Sequence, residues 1–257
     1  MTKIHATASV APGAQLGVDV EIGAYAVIGS QVRIGDRARI MPHVFIDGHS
    51  TLGADCVIFP FASIGSQTQD LKFSGGITYV EIGAQTTLRE YVTVNAGTNE
   101  GDLTRVGERC HIMAYAHVAH QCLVGDDVII SNATQLGGHV LVEDKVILGG
   151  LTGVHQFVRI GTQSFIGGCS KVVQDIPPYM LADGNPATVH GINAVGLQRR
   201  QLSENIRKNL KDAYRILYRK QLMVKAALEQ IRAEIPASPE RDHLLAFVEA
   251  SQRGIAR

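Results

Sequence analysis

An aliphatic residue recurs at every sixth position from Ile4 to Val172: Ile4, Val10, Leu16, Ile22, Ile28 and onward through Ile64, then Ile82, Leu88, Val94, and from Val106 without a miss. Only Asp70, Gly76 and Glu100 break the series. Such a period fits neither the 3.6-residue helix nor the two-residue alternation of a hairpin sheet, so it reads as a structural repeat. Four positions after each aliphatic residue stands a smaller one, as in Ala14, Val20, Ala26, Val32, Ala38 and Val44. Two inward columns, one of them small, predict a narrow interior. Glycine often follows the aliphatic residue (Gly17, Gly23, Gly35, Gly53, Gly125, Gly149), where a chain turning after each short strand favours permissive φ. Each hexad is then one strand and one corner. Three hexads close a triangular coil, and successive coils stack about 4.8 Å apart. The period does not set the hand of the coil; the triangular hexapeptide form is known as a left-handed exception to the crossover rule. The expected fold is mainly β: a left-handed parallel β-helix of hexapeptide repeats.

Two stretches keep the phase but abandon the pattern, SQTQDLKFSGGITYV after Gly65 and NAGTNEGDLTR after Val94. They predict loop inserts near residues 66–80 and 95–105, and inserts in a solenoid decorate one face and often carry function. Beyond Val172 the repeat fades through the paired prolines of Asp175-Ile176-Pro177-Pro178-Tyr179, and Gly184-Asn185-Pro186 marks another loop. From about Asn193 the apolar spacing becomes helical. Ser203 is placed to cap a helix with Ile206, Leu210, Ala213, Tyr214, Ile216 and Leu217 on one stripe. Ser238-Pro239 starts another helix, expected to end near Gly254. The chain divides into a prism over residues 1–190 and a helical domain over residues 191–257, and the helices are expected to shield the last open strand edge.

Composition changes this picture only at the ends. The 24 Lys and Arg balance 24 Asp and Glu, which argues against general nucleic-acid binding. Residues 1–190, however, hold 11 basic against 17 acidic residues, and residues 191–257 hold 13 against 7. A basic tail on an acidic body suggests an acidic partner. Of the four cysteines, Cys56, Cys110 and Cys122 share one place in the repeat, which favours packing over metal or redox chemistry. No segment has the pattern of a leader peptide or the length of a membrane span, so a reducing cytoplasm is the default.

The dense polar cluster of the repeat is Tyr115-Ala116-His117-Val118-Ala119-His120-Gln121-Cys122. Neither His117 nor His120 falls on an inward column, so both are expected to point outward. Adding one coil to His120 gives Gly138, and another gives Gln156. A base, a side-chain-free backbone and an amide then stand one rung apart, close enough to touch one substrate. Three histidines on such a prism also permit zinc between subunits, as resemblance to γ-class carbonic anhydrases suggests. His117, His120 and His139 stand in no convergent tetrahedral spacing, so no metal site is expected.

The hexad prism, Gln69-Asp70-Leu71-Lys72, Ala116-His117-Val118-Ala119-His120, Gly137-Gly138-His139, Val154-His155-Gln156-Phe157, Gly167-Gly168-Cys169-Ser170, Gln174-Asp175-Ile176-Pro177-Pro178-Tyr179 and Gly196-Leu197-Gln198-Arg199-Arg200 together resemble the bacterial UDP-N-acetylglucosamine O-acyltransferases of lipid A biosynthesis over nearly the whole chain. The resemblance implies a homotrimer with active sites between subunits. It implies transfer of an (R)-3-hydroxyacyl chain from acyl carrier protein to the sugar 3-hydroxyl, without a cofactor. On matching motifs, His120 is the general base and the Gly138 N–H the oxyanion donor. Gln69, Asp70, Lys72, His117 and His139 are expected along the sugar and diphosphate, and His155, Gln156, Asn193, Arg199 and Arg200 at the nucleotide or phosphates. Gly168 occupies the family's acyl-length ruler, with Phe165 nearby. The basic face of the Ser203 helix is a candidate for the acidic carrier protein. Three positions depart from the family pattern: Gln121 stands where relatives commonly carry Asp, Asn95 where a His is common, and Val195 in place of a Glu. These leave open an N-acyl- or acetyltransferase acting on a related UDP-amino sugar, including a 3-amino analogue, beside the O-acyltransferase and the zinc-binding or non-catalytic scaffold.

Overall fold

The computed structural model describes residues 1–257. Short strands, most of two residues, stack in parallel into three sheets of eleven, nine and eight strands that form the three walls of a prism. The sheet register shows the coil directly. Glu21 pairs with Arg39 and Arg39 with Val57, a step of eighteen residues, whereas Val57 pairs with Thr87 and Thr87 with His111 as the two inserts lengthen their coils. Both inserts rejoin the wall earlier than the sequence predicts, at the strands Tyr79–Ile82 and Leu103–Val106.

The two inward columns form one continuous core, with Val20, Ala26, Ile28, Ile46, Leu52 and Ile58 at most 1% exposed. Truncating one such isoleucine or leucine to alanine costs about 2–5 kcal/mol, because the stacked rungs leave nothing to collapse into the void. Cys56, Cys110 and Cys122 belong to this core, where burial pushes the first two thiols up to about 11 and the third to about 12. They are inert packing groups at neutral pH.

The glycine column has a different cause from the one its sequence position suggests. Left-handed backbone falls on the third residue after the aliphatic one, generally not a glycine: Tyr25 (φ 58°), Arg37 (56°), Asp55 (60°), Gln121 (52°) and His139 (60°). The strain is offset by bonding, since that conformation aims the N–H at the coil below, as in Arg37 to the Val18 carbonyl at 2.8 Å and His139 to the His120 carbonyl at 3.0 Å. Gly17 and Gly35 are needed for clearance. A Cβ there would lie 2.7 Å from the Asp36 nitrogen and 2.6 Å from the Ala54 nitrogen of the next coil.

After the prism, Met180–Gly184 extends one sheet in parallel beside Phe165–Ile166 and then turns into an antiparallel hairpin with Ala187–Ile192. Four helices follow: α1 (Ala194–Arg199), α2 (Glu204–Arg219), α3 (Val224–Glu234) and α4 (Pro239–Glu249). Asn193, Ser203 and Ser238 cap α1, α2 and α4 through their side chains. Helix α4, which Ser238 caps, stops at Glu249, short of Gly254. The chain beyond it returns to bridge Ile255 with Asp175 at the prism's end. The hairpin therefore covers one sheet edge, while the helical tail closes over the top: Arg159 stacks on Phe247 at 4.2 Å and His243 bonds Glu143 at 2.7 Å. No helix is long and apolar enough to cross a membrane.

Candidate active site

The two inserts brace one another and build a wall beside one face of the prism. Asn95, 5% exposed, spends its amide nitrogen on the carbonyls of Gln67 (3.1 Å) and Ser66 (3.4 Å), and its oxygen receives the Gln69 amide at 3.4 Å. Asn95 is thus a loop brace. The Asp70 carboxylate receives the Lys72 N–H at 3.0 Å, which together with nearby His120 holds its carboxyl below the usual range, so it is ionised at neutral pH.

Between this insert and the wall lies a cavity of about 830 Å³. Gln69, Asp70, Lys72, His117, His120, His155 and Gln156 all line it, so the structure brings these sequence-derived candidates together. Lys171 and Gln135 also line it, and sequence reasoning overlooked both. The signal was present, because the register runs His117, Gln135, Gly153, Lys171 in steps of one coil on the same outward column.

His117 and His120 turn away from the core, as their phase requires, but they are only partly exposed because the insert covers them. Thr93 Oγ1 holds His117 Nδ1 at 2.7 Å, and burial followed by the neighbouring His120 lowers the His117 pKa, so this ring is neutral at pH 7. His139 stands edge-on to His120 with ring centroids 5.3 Å apart and stacks on Phe157 at 4.5 Å. Burial, and then His120, lowers its pKa as well. Directly above His120, a Cβ built at Gly138 would lie 2.4 Å from Nε2 and 2.3 Å from Cε1 of the imidazole. A side chain here would have to displace the imidazole, and the Gly138 N–H makes no hydrogen bond within the chain. The Nε2 atom lies 4.0 Å from an Asp70 carboxylate oxygen, beyond hydrogen-bond reach, while Nδ1 is held by the Gln121 side-chain oxygen.

Asn193, Arg199 and Arg200 lie elsewhere. Asn193 caps α1 and donates to the Gln163 carbonyl at 2.9 Å, and Arg200 donates to the Lys145 carbonyl at 3.1 Å, at the corner that follows the His120 corner along the chain. Val195 on α1 is 61% exposed. Gly168 sits at the third corner over Gly150, whose carbonyl would be 3.2 Å from a Cβ at position 168. Phe165 lies on the adjoining strand. No three of the chain's His, Cys, Asp and Glu side chains converge in a metal-holding group.

An outward imidazole held at one nitrogen, facing an unpaired backbone N–H on a hexapeptide-repeat left-handed β-helix, defines a protein of the acyltransferase class. Two family profiles match, "Bacterial transferase hexapeptide (six repeats)" at residues 103–138 and "Udp N-acetylglucosamine O-acyltransferase; Domain 2" at residues 175–256. Acyl-[acyl-carrier-protein]–UDP-N-acetylglucosamine O-acyltransferases of Thermodesulfovibrio yellowstonii and Paraburkholderia xenovorans are similar at 46% and 48% identity, covering 100% of both chains in each case. Among solved structures, the UDP-N-acetylglucosamine acyltransferase of Bacteroides fragilis superposes with a TM-score of 0.97 at 40% identity, over 99% of this chain and 100% of that one. The protein from Acinetobacter baumannii superposes at 0.95 with 41% identity over 99% of each. The chain belongs to the acyl-[acyl-carrier-protein]–UDP-N-acetylglucosamine O-acyltransferase family.

Proposed function

We propose that this chain transfers an (R)-3-hydroxyacyl group from acyl carrier protein to the 3-position of UDP-N-acetylglucosamine, the first step of lipid A biosynthesis, with His120 as general base. The observation that carries the assignment is the stacking of His120, which lines the cavity beside the first insert, against Gly138. The His120 Nε2 lone pair takes the proton of the sugar 3-hydroxyl as that oxygen attacks the thioester carbonyl carbon. The Gly138 N–H donates to the developing oxyanion. Collapse breaks the carbon–sulfur bond, and the imidazolium returns its proton to the departing carrier thiolate. No cofactor enters this sequence.

Asp70, Lys72, Gln69, His117 and His139 hold the sugar and diphosphate, and His155 and Gln156 bind on the same side. Asn193 and Arg200 bond to the Gln163 and Lys145 carbonyls at another corner of the prism and Gly168 stands at the third, with Phe165 on the strand before it, so on this reading one chain alone does not complete the site. A homotrimer does, by setting a different corner of the neighbouring prism against the His120 cavity, where the Arg pair meets phosphate and Gly168 limits the acyl chain. Lys208, Lys211 and Arg215, exposed on α2, offer a basic face to the acidic carrier. The prism of residues 1–190 carries the chemistry and residues 191–257 the carrier contacts, and the reaction belongs to the cytoplasm.

The test is His120→Ala assayed by mass spectrometry with hydroxyacyl carrier proteins and UDP-N-acetylglucosamine. The expected result is a loss of at least about 100-fold in kcat at unchanged circular dichroism. Undiminished turnover by a folded variant would refute the assignment.

A further inference from the structure

Gln121 joins two groups that stand one coil apart, since Asp102 lies eighteen residues before His120 and the strands that follow keep that step from Arg105 to Leu123. Its side-chain oxygen meets Nδ1 of His120 and its side-chain nitrogen meets an Asp102 carboxylate oxygen. Chemistry fixes the direction of this bridge. A carboxylate only accepts, so the amide nitrogen must face Asp102 and the amide oxygen must face the imidazole. An acceptor at Nδ1 places the ring proton there in the neutral form, and Nε2 keeps the lone pair that faces the cavity.

Both ends of the bridge are built in. Gln121 adopts left-handed backbone (φ 52°), and its N–H donates at 2.9 Å to Oγ1 of Thr104, which is fully buried. On the other side, the same Asp102 oxygen accepts the Asn99 N–H at 2.7 Å and the Asn99 side-chain amide at 3.0 Å, which locks it into the turn of the second insert. Gly97 allows that turn to close, since a Cβ there would stand 2.3 Å from the Asp102 Cβ. No Lys or Arg pairs with Asp102, so its charge is not cancelled locally.

We propose that Asp102 acts through Gln121 as a positioning residue for His120, holding the Nδ1–H tautomer and stabilising the imidazolium formed during acyl transfer. The proposal rests on His120 being the general base. It supplies from the second insert, across an amide, the carboxylate that relatives commonly carry directly after the histidine. Hydrogen-bonded chains in a low-dielectric site polarise one another, so a carboxylate one amide away still favours the charged ring.

The experiment compares Asp102→Asn, Gln121→Met and the paired exchange of Gln121→Glu with Asp102→Asn, alongside His120→Ala. Asp102→Asn keeps an acceptor for the amide and removes only the charge. Gln121→Met removes the bridge and leaves the Asn99–Asp102 turn intact, which guards against a variant that merely misfolds. Each single variant should lower kcat about tenfold or more with KM for the nucleotide sugar within about twofold. Nitrogen-15 NMR should show Gln121→Met losing the single Nδ1–H tautomer of His120. The paired exchange keeps the bridge with the charge moved next to the ring, and should return kcat to within about threefold of the parent. Parent-like kcat in both single variants, with His120→Ala inactive, would overturn the relay and leave the base assignment standing. An active His120→Ala would remove the base assignment itself. Losses in the single variants with an unchanged tautomer and no recovery in the paired exchange would reduce Gln121 and Asp102 to structural roles, and would likewise overturn the relay.

Discussion

One methyl group at position 138 decides whether the His120 ring has room to stand where it does. A Cβ there falls 2.4 Å from Nε2, and the ring has nowhere equivalent to go: Gln121 holds Nδ1 on one side and His139 stands edge-on at 5.3 Å. Gly138 has ordinary negative φ, so alanine adds volume without backbone strain. Gly138→Ala should therefore lower kcat/KM by about 100-fold or more through displacement of the base, with the melting temperature shifted by only a few degrees. Steady-state kinetics beside a thermal melt checks both halves. The three departures from the family pattern resolve differently at this scale. Gln121 has a bonded partner on either side, Asn95 braces a loop, and nothing in the structure explains Val195.

The two inserts act as a single element. Asn95 ties the end of one strand to the carbonyls of Ser66 and Gln67, Thr68 meets Thr98 at 3.4 Å, and the Ile77 N–H donates to Glu100 at 3.1 Å. Asn95→Ala removes the donor to the Gln67 carbonyl, leaves the Ser66 carbonyl with the Ala96 N–H alone, and should cost about 1 kcal/mol, read as a lowered denaturant midpoint. Because the loosened wall carries Asp70 and Lys72, KM for the nucleotide sugar should rise more than kcat falls. The prism was legible in the sequence because the same inward demand is repeated at every rung, which lets a single period outweigh local propensity. His120, Gly138 and Gln156 were placed by that arithmetic alone. The Asp102–Gln121 bridge was overlooked although Asp102 lies one coil of eighteen residues before His120, because Glu100 breaks the aliphatic column there and the segment around it reads as an excursion from the wall. Helix α3 escaped notice because Met223 at its start offers no side-chain cap. The hairpin escaped because residues 180–192 lack a clean two-residue alternation. The glycine column was seen, but its cause was misread: periodicity locates a small residue without saying whether φ or a neighbouring backbone requires it.

At the scale of the molecule, the proposed ligands of one substrate stand on separate corners of a rigid prism, His120 on one and Arg200 and Gly168 on others. A shared site makes a sharp expectation. His120→Ala and Arg200→Ala, each inactive alone, should regain a measurable fraction of activity when co-expressed, because mixed assemblies contain some sites with both parent residues. Absence of recovery in isolated mixed oligomers would place all these groups within one chain's site. The rung-by-rung pairing also gives the site a history. Each new coil finds its template in the coil already laid down, so the wall can grow in step with translation. Asp70 leaves the ribosome roughly a hundred residues before Lys171, or about 5–20 s at ordinary elongation rates. Through that interval the first insert is a finished half of a pocket facing a wall still being synthesised, and catalytic competence arrives among the last events in the making of the chain.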